Sequence, residues 1–300
     1  MPRVTARSNA LALTALVLCW PLSAPAAPGP KPSPRVPVEP VPEGFAPPAA
    51  VPAPDDLPPP PLSEAPNDAY RAWRDSVIQS AAAVASFQAD LDITIRVAQG
   101  DHTQPGGFLS LASIKGKTFS RRTGQALAER TDQDLSTTLL IAGSSQRFSV
   151  RNSTIRTPEA TFTFVNENGR EQAAKLAPGD AAGFLPSPRM FEDLERDNFL
   201  SAMDDGALDG APARRLNIRP RRPNAVVQQQ IMYFSPASGH VMGIDGYKDK
   251  VRTVTMRIKN PTLGAQIPDK TFELELPDTV KLQDLTKPAA APTPEEPQEQ

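Results

Sequence analysis

The chain is poor in the residues from which most metal and nucleophile sites are built. It holds one cysteine and two histidines among 300 residues. A protein-bound zinc takes three or four side-chain ligands from Cys, His and carboxylates. Neither His102, in a polar loop, nor His240, beside a turn, has such company nearby in sequence. No metal and no cofactor is therefore expected. The nucleophile elbow, the phosphate-binding loop and the dinucleotide glycine fingerprint are all missing, so the expectation is a protein that is not an enzyme. The acidic clusters Asp90/Asp92, Glu192 to Asp197 and Asp204/Asp205 read as solvated charge on a strand face and a helix surface. An excess of charge of one sign is also lacking. The formal net charge is −2, whereas a nucleic-acid binder carries a basic excess. Nucleic acid is not an expected partner.

Long apolar runs are scarce too. The one near the N-terminus, Ala10 to Leu22, is 13 residues, short of the roughly 20 that a spanning helix needs. Arg3 and Arg7 precede it, and the small-residue segment Ser23 to Ala27 follows. This is the layout of a secretory signal, with cleavage after Ala26 placing Ala24 and Ala26 at the small positions. Residues 1–26 are therefore expected to direct export to the periplasm. Two alternatives stay open: an uncleaved N-terminal membrane tether, and lipidation at Cys19. Cleavage after Ala26 leaves a mature chain without cysteine, held together by its core alone.

What is abundant is proline. Nineteen of the 35 prolines fall in the first 66 residues, and residues 27–66 read as a disordered proline-rich arm of polyproline II character. Forty residues at about 3.1 Å each reach roughly 120 Å. Residues 286–300 read as a low-complexity tail.

Between them lies one domain, 67–285. Asn67 or Asp68 caps a helix in which Tyr70, Trp73, Val77, Ala81 and Val84 recur at helical spacing. The period then changes to two. From Phe87 to Val97 every odd position is apolar and every even one polar, the mark of a strand with one buried face. Further strands are expected at 108–114, 117–123, 137–142, 147–152, 161–165, 214–219, 226–235, 240–247, 251–259 and 272–276. Asn168-Gly169, Ser238-Gly239, Asp245-Gly246 and Asn260-Pro261 read as turns. Ser187 and Pro188 open a second helix from Met190 to Met203, bent near Asn198. The class is α+β: a strongly curved antiparallel sheet with amphipathic helices covering its concave face. The basic stretch Arg214 to Arg222 turns Leu216 and Ile218 to one side. Arg215, Asn217, Arg219 and Arg221 point to the other, as a solvated face or a docking patch for an acidic partner or lipid headgroups.

Two stretches carry a family resemblance. Val84 to Ile95 runs from a helix end into a long strand through Ser86-Phe87-Gln88-Ala89. Tyr233 to Ile244, with Ile267 to Pro277, supplies a strand with a turn glycine and a closing segment of the form I-P-D-x-x-F-x-L-x-x-P. Together they resemble the LolA-like superfamily, the periplasmic carriers of outer-membrane lipoproteins and related lipid carriers and sensors. The resemblance covers about a third of the chain. It implies an incomplete barrel over an apolar cavity, and no position here matches the lid-closing arginine of the carriers. Under it, Leu91, Ile93, Ile95, Phe162, Phe164, Phe191, Leu194, Phe199, Met203, Val254, Met256 and Ile258 line the interior. The function implied is a monomeric envelope carrier or chaperone for acyl chains of a lipoprotein or lipid. The alternative is an envelope interaction or sensor module that binds a protein partner.

Overall fold

Strict alternation lets a strand pair without interruption. The computed structural model describes residues 39–40, 49–54, 57–61 and 67–286, apart from 102–103, 105–106, 125, 179–182 and 223–225. Strand β3 (Ser86–Gln99) pairs along its whole length with β4 (Phe108–Thr123), which pairs with β5 (Ala126–Ile141), and that with β6 (Ser144–Arg156). Then follow β7 (Thr161–Glu167) and β8 (Arg170–Leu176). After helix α2 (Pro188–Asp197) come β9 (Asn198–Leu208), β10 (Ala211–Pro220), β11 (Gln229–Phe234), β12 (Val241–Lys248) and β13 (Val251–Leu263). The short pieces β1 (Glu39–Pro40), β2 (Val51–Pro52) and β14 (Leu282–Asp284) complete a 14-stranded sheet. Its order is β14-β8-β7-β6-β5-β4-β3-β13-β12-β11-β10-β9, and the two ends of that path are not paired with each other. All pairs are antiparallel except β14 with β8. Among the described residues, no helix is long and apolar enough to cross a membrane.

Helix α1 (Asp68–Ala82) begins where Asn67 Oδ1 accepts the Tyr70 amide at 2.8 Å, and α2 where Ser187 Oγ accepts that of Met190 at 3.2 Å. Each side-chain cap satisfies an amide that the helix leaves unpaired, worth roughly 1 kcal/mol. Both helices lay apolar residues on one side of the sheet. Tyr70 and Val77 of α1 and Met190 and Phe191 of α2 join Leu91, Ile93, Ile95, Leu216, Ile218, Met232, Phe234 and Met256 in one buried cluster. Register explains the match. Ile95, Ile93 and Leu91 sit opposite Val254, Met256 and Ile258, so the period-two pattern puts both apolar sets on one face.

The structure departs from the sequence expectations at several places, each with a physical reason. The second helix ends at Asp197, and Asn198 to Met203 is strand, not helix. Asn198 Nδ2 donates to the Leu194 carbonyl at 3.0 Å and closes the helix, after which Leu200, Ala202 and Met203 take register partners Ile218, Leu216 and Arg215 on β10. Apolar residues in this stretch fit either period, and strand pairing decided between them. Residues 108–114 and 117–123 are one strand. A Cβ at Gly116 would stand 2.1 Å from the Asp132 carbonyl oxygen, so this glycine serves close backbone approach, not a turn. Asn260-Pro261 is no turn either but an irregularity inside β13, between Lys259 and Thr262. Residues 272–276 form no strand. A 3₁₀ turn at Asp269–Phe272 takes their first residue, and Arg130 Nη1 donates to the carbonyls of Thr271 (3.1 Å) and Glu273 (3.5 Å). Strand β8 and the first half of β5 went unforeseen because both are largely polar.

Parts of the arm contact the sheet. Val51 and Pro52 pair with Arg252 and Val251, and the Ala53 amide donates to the Lys250 carbonyl at 2.9 Å. Glu39 and Pro40 pair with Ser145 and Ser144. The expected export segment 1–26 and the tail beyond residue 286 lie outside the described residues.

Candidate functional site

The residues expected to line an interior divide into three groups. Leu91, Ile93, Ile95, Phe191 and Met256 are buried in the cluster between helices and sheet, with Leu194, Val254 and Ile258 packed against it. Phe162 instead packs against a second cluster of Ile155, Ile267 and Phe272. Phe164 on β7 and Met203 on β9 are half-buried and belong to none of the buried clusters. Phe199, also half-buried, lies outside them too, beneath arginines.

Aromatic rings occupy the layer under the helices. Trp73 meets Phe191 edge-on at 6.1 Å and Phe234 at 5.5 Å, while Phe191 and Phe234 stack at 6.1 Å. Such pairs add about 0.5–1.5 kcal/mol each beyond burial. Trp73 was legible as an apolar helix position. The partnership with Phe234, 161 residues later, was not. Beside this layer stands one polar junction. Glu195 Oε1 of α2 accepts from Tyr70 Oη and from Arg74 Nη1 of α1, each at 3.0 Å. Burial, and then the Glu195 charge, push the Tyr70 phenol well above its ordinary range.

The arginine stretch forms the second candidate. The guanidinium carbons of Arg219 and Arg221 lie 4.6 and 4.2 Å from the Phe199 ring centroid. Arg221 also donates to the Glu195 carbonyl at 3.3 Å. Phe199, Arg219, Pro220, Arg221, Arg222, Val227 and Gln228 line a cleft of about 320 Å³. Arg219 Nε is shielded from solvent with no hydrogen-bond partner among the described residues. A guanidinium placed over an aromatic ring can still turn N–H groups toward carboxylate or phosphate oxygens. Three arginines make the lining of this cleft basic. A smaller one of about 260 Å³ opens between the helices at Arg74, Asp75, Ile78, Gln79, Pro188 and Glu192.

Other titratable groups are structural in their settings. Asp92 and Asp90 accept from Lys259 Nζ (2.6 Å) and Asn260 Nδ2 (2.8 Å) on the neighbouring strand. His240 is buried, its Nδ1 2.7 Å from Ser238 Oγ, and burial lowers its pKa to about 4. Glu129, which no sequence pattern singled out, is fully enclosed. Burial raises its carboxyl to about 7 against the opposing pull of Arg156, Ser120 and Arg122. His102 lies outside the described residues. Among the described residues no three His, Cys, Asp or Glu side chains gather as metal ligands would.

Against known proteins, no family model matches the chain, and no curated protein does. Solved structures do. An uncharacterized conserved protein from Thermus thermophilus is 11% identical, covering 72% of this chain and 99% of its own, at a TM-score of 0.43. MucB in the MucA/MucB complex of Pseudomonas aeruginosa is 16% identical, over 68% of this chain and 60% of its own, at 0.38. A LolA superfamily protein from Nitrosomonas europaea is 10% identical, over 67% and 97%, at 0.23. Each is a likeness of fold at low identity.

Proposed function

We propose that this chain is an exported, non-catalytic binding module of the cell envelope, engaging an acidic segment of a protein partner at the Phe199 cleft. Residues 1–26 would direct export, and 67–285 would form the binding domain. The observation that carries this reading is the pairing of Arg219 and Arg221 over Phe199, beside Arg222, in an open cleft. An apolar floor with guanidinium edges suits a carboxylate-bearing peptide that also carries an apolar anchor. Association should be steered by charge and weaken with salt. Titrating a fluorescent peptide of alternating Glu and Leu into the protein tests this. Binding that weakens at least tenfold in the triple variant R219A/R221A/R222A supports the proposal. A triple variant that binds as well as the parent overturns it.

A second reading, an acyl-chain carrier, has its own support: α1 and α2 rest on the sheet through a continuous apolar layer. Hydrocarbon entering there must displace Trp73 or Phe191, regaining about 25 cal/mol per Å² removed from water. Organic extraction of the purified protein followed by mass spectrometry decides it. Stoichiometric co-purified lipid supports the carrier, and a lipid-free protein rules it out.

A further inference from the structure

The sheet face opposite the helices holds a feature that neither reading uses. On β10, Leu216 and Ile218 enter the helix-side cluster, so Asn217 between them faces away. Its register neighbour Ile231 on β11, and Asp245 beyond it on β12, share that face, as does Gln229 two residues before Ile231. An uncovered outer face is wet. These four residues are instead 2%, 2%, 3% and 5% exposed, in the order Asn217, Ile231, Asp245 and Gln229.

Part of the cover is the proline arm. Gln229 Nε2 donates to the Pro58 carbonyl at 2.7 Å and to Asn217 Oδ1 at 2.9 Å. Asn217 Nδ2 donates to the next carbonyl, Pro59, at 3.0 Å. Pro61 is buried. Proline offers a carbonyl but no amide hydrogen, so a surface that recognises a proline run must bring donors. Here two buried primary amides orient each other and present one N–H to each of two successive carbonyls. A proline run already holds its extended form, so little entropy is lost on docking.

We propose that Asn217 and Gln229 form a binding site for an extended proline-rich segment, and that its ligand is the chain's own Pro58–Pro61. The arm is then a bound ligand in cis, not a free tether, with an effective concentration in the millimolar range. The site is separate from the Phe199 cleft, so either idea can fail alone.

Amide exchange in the full chain tests it at Ala53 and Leu57, two described arm residues whose amides are hydrogen-bonded. In N217L/Q229L, which keeps bulk and removes the donors, exchange at both should rise at least tenfold while amides of β3 and β4 keep their protection. A ligand-side variant, P58G/P59G/P60G/P61G, should give the same local signature and also bind a labelled peptide of residues 49–61 added in trans. That binding should fall at least tenfold when N217L/Q229L is added. Exchange within twofold of the parent in both variants overturns the proposal. So does a ligand-side variant that ignores the peptide, or binds it equally with and without the two amides.

Discussion

The two faces of the sheet around β10 to β12 are both covered, but by different physics. On one side α1 and α2 bury Tyr70, Trp73, Val77, Met190 and Phe191 against aliphatic strand residues. On the other, Asn217 and Gln229 hold an extended segment by hydrogen bonds to its carbonyls. Apolar burial is non-directional and scales with area, so the helix side supplies most of the stability. Hydrogen bonds to a strap contribute about 1 kcal/mol each net and depend on geometry. The first face stabilises the fold, and the second reads a particular chain conformation.

The largest effect should come from the helix side. Phe191→Ala removes a fully buried ring that touches both Trp73 and Phe234. The expected loss is about 3–5 kcal/mol in urea unfolding. A loss below about 1 kcal/mol would mean that this layer is not tightly filled.

Next in size is a pH effect from Glu129. Its carboxyl titrates near 7 in the fold against 4.5 as an ordinary value. The unfolded chain therefore releases this proton first, and stability falls as pH rises from about 4.5 to 7. His240 has the opposite sign. Its pKa of about 4 in the fold, against 6.5, means that stability rises with pH between 4 and 6.5. The two slopes oppose each other over pH 4.5 to 6.5. Glu129→Gln should expose the rising histidine limb there and stabilise the protein at pH 8 by up to about 3 kcal/mol. Unfolding midpoints across pH, compared with the parent, check both statements.

Smaller still is the junction between the helices. Tyr70→Phe deletes the phenol that donates to Glu195 and should cost about 1 kcal/mol. The smallest effect on stability is expected at Arg221→Ala, within about 0.5 kcal/mol for a surface side chain. The same substitution should lower affinity for the acidic peptide, most visibly at low salt. Thermal melting and peptide titration together separate folding from binding.

How much of this was legible depends on whether a residue's role is local. The alternation from Phe87 to Val97 predicted β3, because a strand buried on one face must show period two whatever it packs against. Ser187-Pro188 predicted a helix start for an equally local reason. The segment Asn198 to Met203 could not be settled that way, since Phe199, Leu200 and Met203 satisfy a helix stripe as well as a strand face. The interior list suffered from the same limit. Leu91, Ile93, Ile95, Val254, Met256 and Ile258 are apolar and do meet, but Phe199 is apolar and lies under two guanidinium groups instead. The arm is the clearest case, because a proline run looks unstructured until a surface with matching donors is folded beside it.

Composition and periodicity alone thus determined a β-rich domain opened by a helix and a proline-dense leading segment. These follow from propensities and from side-chain alternation, which act over a few residues. Tertiary structure alone decided that β13 returns to pair with β3, that Trp73 meets Phe234, that two arginines cover Phe199, and that two amides grasp Pro58 and Pro59. Those arrangements join residues tens to hundreds of positions apart, and only closing the chain into one sheet brings them within contact distance.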